Sequence, residues 1–446
     1  MALDRESLKI LAAALEKLDA GFARLPEFTV SAGDPERATA VLTALAEKLQ
    51  DNYPYFHPLY AGQMLKPPHP VARLAYSLAM HLNPNNHALD GGRATSALEK
   101  EAIGEIAAMF GWKELLGHLC GGGTMANLEA LWVAGQLQPR KKIVASDQAH
   151  YTHGRISAVL QVQFEKVESD ALGQLDMNAL ARRVAGGDVG TVVATLGTTA
   201  TGSVDPLAEI LELREKYGFR VHVDAAYGGY FVLASNLAEQ AAKHFARIGE
   251  ADSIVIDPHK HGLQPYGCGC VLFRDAAVGK LYKHDSPYTY FSSMELHLGE
   301  ISLECSRPGA AAAALWATQK LLPLVRDGEF ARGLEKGREA ALKFWRMIQS
   351  AEQFVAAFEP ELDILCFVPR GDSLAAISAK SRKIFEAAAR KGLHLAVAEL
   401  PVKFWRELTP EDGRSTVTCL RSVLMKPEHL DWMERIVKTL VGCSGG

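Results

Sequence analysis

The sequence predicts an α/β protein whose larger part is a mainly parallel sheet covered by helices. Three observations lead there. From residue 119 onward, short apolar runs alternate with helical patterns, the arrangement a covered parallel sheet requires. The flanks differ: residues 1–65 read as helices broken by NYPYFHPLYAGQML, and residues 330–446 mix helices with strands such as DILCFVP and TCLRSVLM. The length, 446 residues, exceeds one ordinary small domain. The expected division is an N-terminal helical segment at 1–65, a large α/β domain at 66–325 and a small α+β domain at 326–446.

In chain order, Leu8, Leu11, Leu15, Leu18 and Phe22 recur at helical spacing within residues 5–24, which predicts an amphipathic helix. PPHPVARLAYSLAMHLNPNNHALDGG holds a helix between two turn clusters, and residues 97–116 read as a further amphipathic helix. The expected strands are KIVASD, TVVATLG, RVHVDAA, SIVIDPHK and CGCVLFRD. Helices are expected after His150, in PLAEILELREKYG, near 236–248 and in AAAAALWATQKLL. No internal repeat or low-complexity linker interrupts the pattern.

Composition excludes some classes. A net charge of −4 provides no basic face, so no nucleic-acid partner is expected. The seven cysteines form no CxxC pair, which points to buried thiols in a reducing compartment. Cys268 and Cys270 sit in an apolar stretch without a second ligand pair, so they read as core and no metal site is expected. The first 24 residues carry charges throughout, unlike a secretory leader, and no apolar run reaches the ~20 residues of a membrane span. The expected location is the cytoplasm.

The ligand end of a parallel sheet is the carboxyl end of its strands, and four candidates fall there. Gly121, Gly122 and Gly123 run into a helix beginning near Thr124. Free N–H groups at a helix start, approached closely through glycines, make an anion cradle; taken alone, the loop is equally a flexible connection. Asp224 closes RVHVDAA, and Ala225 and Ala226 leave room for a flat ring. An acid there suits a protonated ring nitrogen, although a strand-end Asp is ordinarily a turn or cap residue. Lys260 follows SIVIDP; such a lysine is ordinarily a solvated charge, yet at the end of a buried strand it can become a Schiff-base nucleophile. His150 follows KIVASDQA and reads as a cap, a core histidine or a stacking platform. Cradle, ring acid and lysine on successive strand ends are the parts that pyridoxal 5′-phosphate (PLP) needs.

The chain resembles the group II PLP-dependent amino-acid decarboxylases of fold type I over about residues 50–440, a family that includes aromatic-L-amino-acid, glutamate, histidine and tyrosine decarboxylases. The resemblance rests on Ser146-Asp147-Gln148-Ala149-His150, Ala194-Thr195-Leu196-Gly197-Thr198-Thr199, His222-Val223-Asp224-Ala225-Ala226-Tyr227 and Asp257-Pro258-His259-Lys260. It implies that Lys260 carries the cofactor and Asp224 meets the ring nitrogen. Ala226 and His150 would flank the ring, with His150 facing the substrate carboxylate. Gly122, Gly123 and Thr124 would hold the phosphate, with His259 a further contact, and Thr199 would lie near the ring hydroxyl. Two positions depart from the family. Asp257 replaces a frequent Asn and is not assigned to the phosphate; His261 replaces a Trp and either reaches the phosphate or packs.

On the substrate side, the segment from Tyr53 to Met64 resembles the family's pocket-lining stretch. Gln63 matches glutamate decarboxylases, whereas Tyr60, Phe56 and Tyr55 suit an aromatic pocket or simply core. Arg421 matches an arginine used near the substrate carboxylate. Residues 283–292 resemble the catalytic loop, in which a tyrosine protonates Cα; the alignment favours Tyr290, with Tyr288 second. The resemblance implies a homodimer with a shared site and α-decarboxylation of an L-amino acid, aromatic substrates leading. Acidic substrates, or a fold-type-I carbon–carbon lyase activity, are the alternatives.

Overall fold

The computed structural model describes residues 5–28, 33–283, 302–411 and 413–444. Seven strands form the large sheet: β1 (Leu116–Cys120), β2 (Lys142–Ser146), β3 (Phe164–Val167), β4 (Val189–Thr195), β5 (Arg220–Asp224), β6 (Ser253–Ile256) and β7 (Gly269–Phe273). Their order is β1-β7-β6-β5-β4-β2-β3. Neighbours from β6 to β3 pair in parallel, and β7 runs antiparallel to both β6 and β1. The reason for that reversal lies in the connection: residues 257–268 between β6 and β7 contain no helix, whereas a parallel return needs a crossover that usually carries one. β1, β4, β6 and β7 are buried at every residue, as expected of strands covered on both faces.

The strands anticipated from the sequence lie within two residues of those found, except that SIVIDPHK is strand only over Ser253–Ile256 and turns at 258–260, and one helix is displaced. In place of a helix at 97–116, the helix spans Leu89–Met109, with a kink at Gly92. Gly111 follows at φ +81, a conformation that stops a helix and suits glycine. Leu116–Cys120 then pairs with β7, so LGHLC is an edge strand.

Parallel register places Thr195 beside Asp224 and Asp224 beside Val255. The carboxyl ends of β4, β5 and β6 therefore form one shelf. A second sheet, β8 (Phe354–Ala356), β9 (Ile364–Pro369), β10 (Ala396–Pro401) and β11 (Thr416–Val423), is antiparallel in the order β10-β11-β9-β8. Phe344, Phe367, Leu420 and Ile436 centre its core, which Ala61 joins. Tyr60 bridges to His394, so the end of the N-terminal segment packs on the small sheet. The helices Arg5–Ala20 and Pro35–Leu49 bury no residue.

All seven cysteines are free thiols, and Cys268 and Cys270 are buried. Among the described residues no cluster suits a metal ion, and no helix is long and apolar enough to cross a membrane.

Candidate active site

A cavity of about 530 Å³ opens over the strand ends, with Gly121 to Thr124, His150, Thr199, Asp224, Ala226, Asp257, His259 and Lys260 in its wall. Chain direction explains the convergence: β1, β2, β4, β5 and β6 all deliver their following loops to this edge of the sheet.

The glycine loop leaves β1 and starts the helix Gly123–Leu137, which has no side-chain cap among the described residues. Its first N–H groups are thus available to a ligand. Gly122 has φ +145, and a Cβ there would lie 3.2 Å from His259 Cε1. A Cβ on Gly123 would lie 2.7 Å from Asp257 Oδ2. Glycine is therefore required both by backbone conformation and by the close approach of the β6 end. The Gly121 N–H donates to the Glu304 carboxylate at 2.9 Å, so the loop already accepts an anionic oxygen.

Asp224 is buried at the end of β5. Its Oδ2 accepts from His153 Nε2 at 2.9 Å and Asn127 Nδ2 at 3.3 Å, and its Oδ1 from the Ala226 N–H at 3.1 Å. Burial alone would raise its pKa, but the His153 hydrogen bond and the neighbouring His153 and Lys260 outweigh burial and hold it below the usual carboxylate range. Lys260 Nζ lies 3.1 Å from Asp257 Oδ2, and His259 Nε2 lies 3.5 Å from the same oxygen. His259 Nδ1 donates to the Cys268 carbonyl at 2.8 Å, and its ring stacks on Tyr266 at 4.7 Å. His150 Nδ1 is 2.7 Å from Thr152 Oγ1, and burial lowers its pKa, which leaves an uncharged ring at neutral pH.

The sequence profile described as "Pyridoxal-dependent decarboxylase conserved domain" matches residues 124–370. The chain belongs to the pyridoxal-dependent decarboxylase family. A probable L-tyrosine/L-aspartate decarboxylase of Methanothermobacter thermautotrophicus is 30% identical over 316 residues, 69% of this chain and 82% of that protein. The L-tyrosine decarboxylase of Enterococcus faecium is 29% identical, covering 65% of this chain and 64% of its own length. Among solved structures, Oryza sativa TDC with PLP and tryptamine superposes with a TM-score of 0.78 over 99% of both chains at 17% identity, a likeness of fold. The decarboxylase is accordingly a PLP-dependent carboxy-lyase of fold type I.

The residues of this decarboxylase fit PLP. An uncapped helix start behind conformationally required glycines suits a phosphate, an ionised buried carboxylate suits a pyridinium, and one lysine reaches the same space. Asp257 also lines the cavity, turned to Lys260. Three residues anticipated on the substrate side lie elsewhere than in this wall. Arg421 is buried and donates to the carbonyls of Ala200, Gly62 and Thr199 and to Gln63 Oε1, so it braces the Thr199 loop from behind. Tyr60 is buried among Tyr53, Tyr55 and His394, and Gln63 is exposed. His261 packs against Tyr227 and Phe231, 3.3 Å from Asp363 Oδ2. Tyr288 and Tyr290 lie outside the described residues.

The structure adds Asn127, Tyr227, Tyr266 and Glu304 to the wall, residues to which the sequence motifs give no role. Tyr266 donates to the Met64 carbonyl at 2.9 Å and so ties the cavity to the segment after Gln63. Only the spacing of Asn127 behind the glycines, one turn into a helix on the cavity, hinted at its place.

Proposed function

We propose that the protein removes the α-carboxylate of an aromatic L-amino acid, releasing CO2 and the amine, with Lys260 holding PLP. In this reading Gly122, Gly123, Thr124 and His259 hold the phosphate, and Asp224 keeps a proton on the ring nitrogen. Ala226 and His150 bound the two ring faces, and Thr199 lies beside the ring hydroxyl. Bound PLP supplies an electron sink for the pair left at Cα when CO2 departs. His150, uncharged and in the wall, is available to orient the substrate carboxylate. Tyr290, or Tyr288 in its stead, donates the proton that Cα must receive. Arg421 acts on the substrate through the Thr199 loop and Gln63 that it grips, and Tyr60 shapes the aromatic segment behind them.

The observation that carries the substrate class is charge. Asp224, Asp257 and Glu304 line the cavity, and Lys260 is its sole Lys or Arg among the described residues. Residues 284–301 contain neither Lys nor Arg. A second carboxylate on the substrate would enter without a cation to receive it, whereas Tyr227, Tyr266, Met125 and Leu128 provide aromatic and apolar wall. The relatives' names admit both tyrosine and aspartate. CO2 release from tyrosine, tryptophan, dihydroxyphenylalanine, aspartate and glutamate decides the matter: turnover of aspartate or glutamate without the aromatic substrates overturns the assignment.

The homodimer is supported by the helix Pro35–Leu49, which buries no residue while Val41, Leu42, Leu45 and Leu49 stand exposed. Amphipathic helices with bare apolar faces need a partner surface. Sedimentation of an active monomer would refute it. Seven unpaired cysteines support a cytoplasmic location.

A further inference from the structure

Behind the cavity wall a buried polar chain runs from β6 to Asp224. Ser253 Oγ lies 2.8 Å from His222 Nδ1, and His222 Nε2 lies 2.8 Å from Asn127 Oδ1. Asn127 Nδ2 then donates to Asp224 Oδ2 at 3.3 Å, and His153 Nε2 reaches the same oxygen at 2.9 Å. The protons of this chain follow from chemistry. An ionised carboxylate only accepts, so His153 carries a proton on Nε2 and Asn127 turns its NH2 toward Asp224. Asn127 Oδ1 must then accept, which puts a proton on His222 Nε2. His222 Nδ1 is left to accept from the Ser253 hydroxyl.

Within this chain His153 is unusual. It is 0% exposed, and its Nδ1 is buried with no hydrogen-bond partner among the described residues. A buried polar atom left unpaired costs free energy, so the ring is held there by what Nε2 does. His153 has no place in the cavity wall, whereas Thr152, one residue earlier, lines it and holds His150. The first turn of one helix, Thr152–Val159, thus serves both the residue over the cofactor's face and the acid at its edge.

We propose that His153 is a positioning residue for Asp224: its Nε2–H fixes the carboxylate's orientation and preserves its charge, and Ser253, His222 and Asn127 form a second brace on the same oxygen. The inference rests on Asp224 meeting the ring nitrogen of PLP. It goes beyond that reading by assigning the acid's competence to a helix that the strand-end motifs leave out.

The test compares His153→Leu with His153→Gln, whose side-chain NH2 can stand where Nε2–H stands. Cofactor-free protein is titrated with PLP and followed by the visible absorbance of the holoenzyme. A hydrogen bond to a buried charge predicts a dissociation constant raised about tenfold or more in His153→Leu, with His153→Gln within about threefold of wild type. Wild-type affinity in His153→Leu, or equal losses in both variants, overturns the inference. Asp224→Asn is measured alongside. If it weakens PLP binding and turnover while His153→Leu does neither, only the role of His153 falls. If Asp224→Asn is itself indistinguishable from wild type, the reading of the site falls with it. Should His153→Leu fail to fold, nitrogen-15 NMR of wild-type cofactor-free protein decides independently: a proton on His153 Nε2 is expected, and a bare Nε2 overturns the proposal.

Discussion

Asp224→Asn changes one atom of a buried carboxylate and removes its charge. The carboxylate accepts from His153 and Asn127 at Oδ2 and from the Ala226 N–H at Oδ1. An asparagine offers one acceptor oxygen and one donor NH2. If the oxygen stays toward His153 and Asn127, the NH2 faces the Ala226 N–H; if the amide flips, the NH2 faces both side chains. Either way at least one buried donor loses its acceptor, which costs about 1–3 kcal/mol of folding stability. The functional loss is larger. Removing one charge of a buried pair costs roughly 3–5 kcal/mol, and about 1.4 kcal/mol of barrier is a factor of ten. Turnover should therefore fall by about two to four orders of magnitude, with PLP still bound at saturating concentration. The assays are the melting temperature of cofactor-free protein and the rate of CO2 release with excess PLP. A variant whose kcat stays within about threefold of wild type would refute the assignment of Asp224 as the residue that keeps the ring nitrogen protonated.

Other perturbations test other parts. Lys260→Ala should abolish the visible absorbance band of the holoenzyme together with turnover; near-normal turnover would exclude Lys260 as the anchor. Gly123→Ala places a Cβ 2.7 Å from Asp257 Oδ2, at the mouth of the phosphate loop, and should weaken PLP binding about tenfold or more; unchanged affinity would place the phosphate elsewhere. Tyr290→Phe should retain PLP and substrate binding but yield less amine, with aldehyde or pyridoxamine phosphate in its place, and product analysis of Tyr290→Phe beside Tyr288→Phe identifies the donor; if neither changes the amine yield, His150 becomes the next candidate. Lys426 is 4% exposed, and burial, with Lys66 nearby, lowers its pKa to about 7. The unfolded chain, with an ordinary lysine near 10.4, binds the extra proton between those values. Stability should then rise as pH increases from about 7 toward 10. Lys426→Met should flatten that rise in denaturation curves taken across the range, and an unaltered slope would mean that Lys426 is ordinarily charged in the folded protein.

The sequence by itself determined the alternating strands and helices of the large domain, because apolar period and turn residues report burial directly. It also located the strand-end groups His150, Thr199, Asp224 and Lys260 and the glycine loop, since a short motif at the end of a buried strand marks both a place and a chemistry; the fold brings these to one cavity. Only the tertiary structure decided what depends on long-range pairing. LGHLC is too short and too apolar for its period to distinguish strand from helix, and its pairing with β7 settles its state. The reversal of β7 follows from a helix-free connection that local periodicity does not register. Arg421 stands apart from the cavity because backbone carbonyls of the Thr199 loop and of Gly62, more than 200 residues away in sequence, occupy its guanidinium. His153 and Asn127 lie 71 and 97 residues from Asp224. Taken singly in the sequence each is an ordinary helical residue, and they become partners of one carboxylate only when the two helices that carry them pack together beside the end of β5.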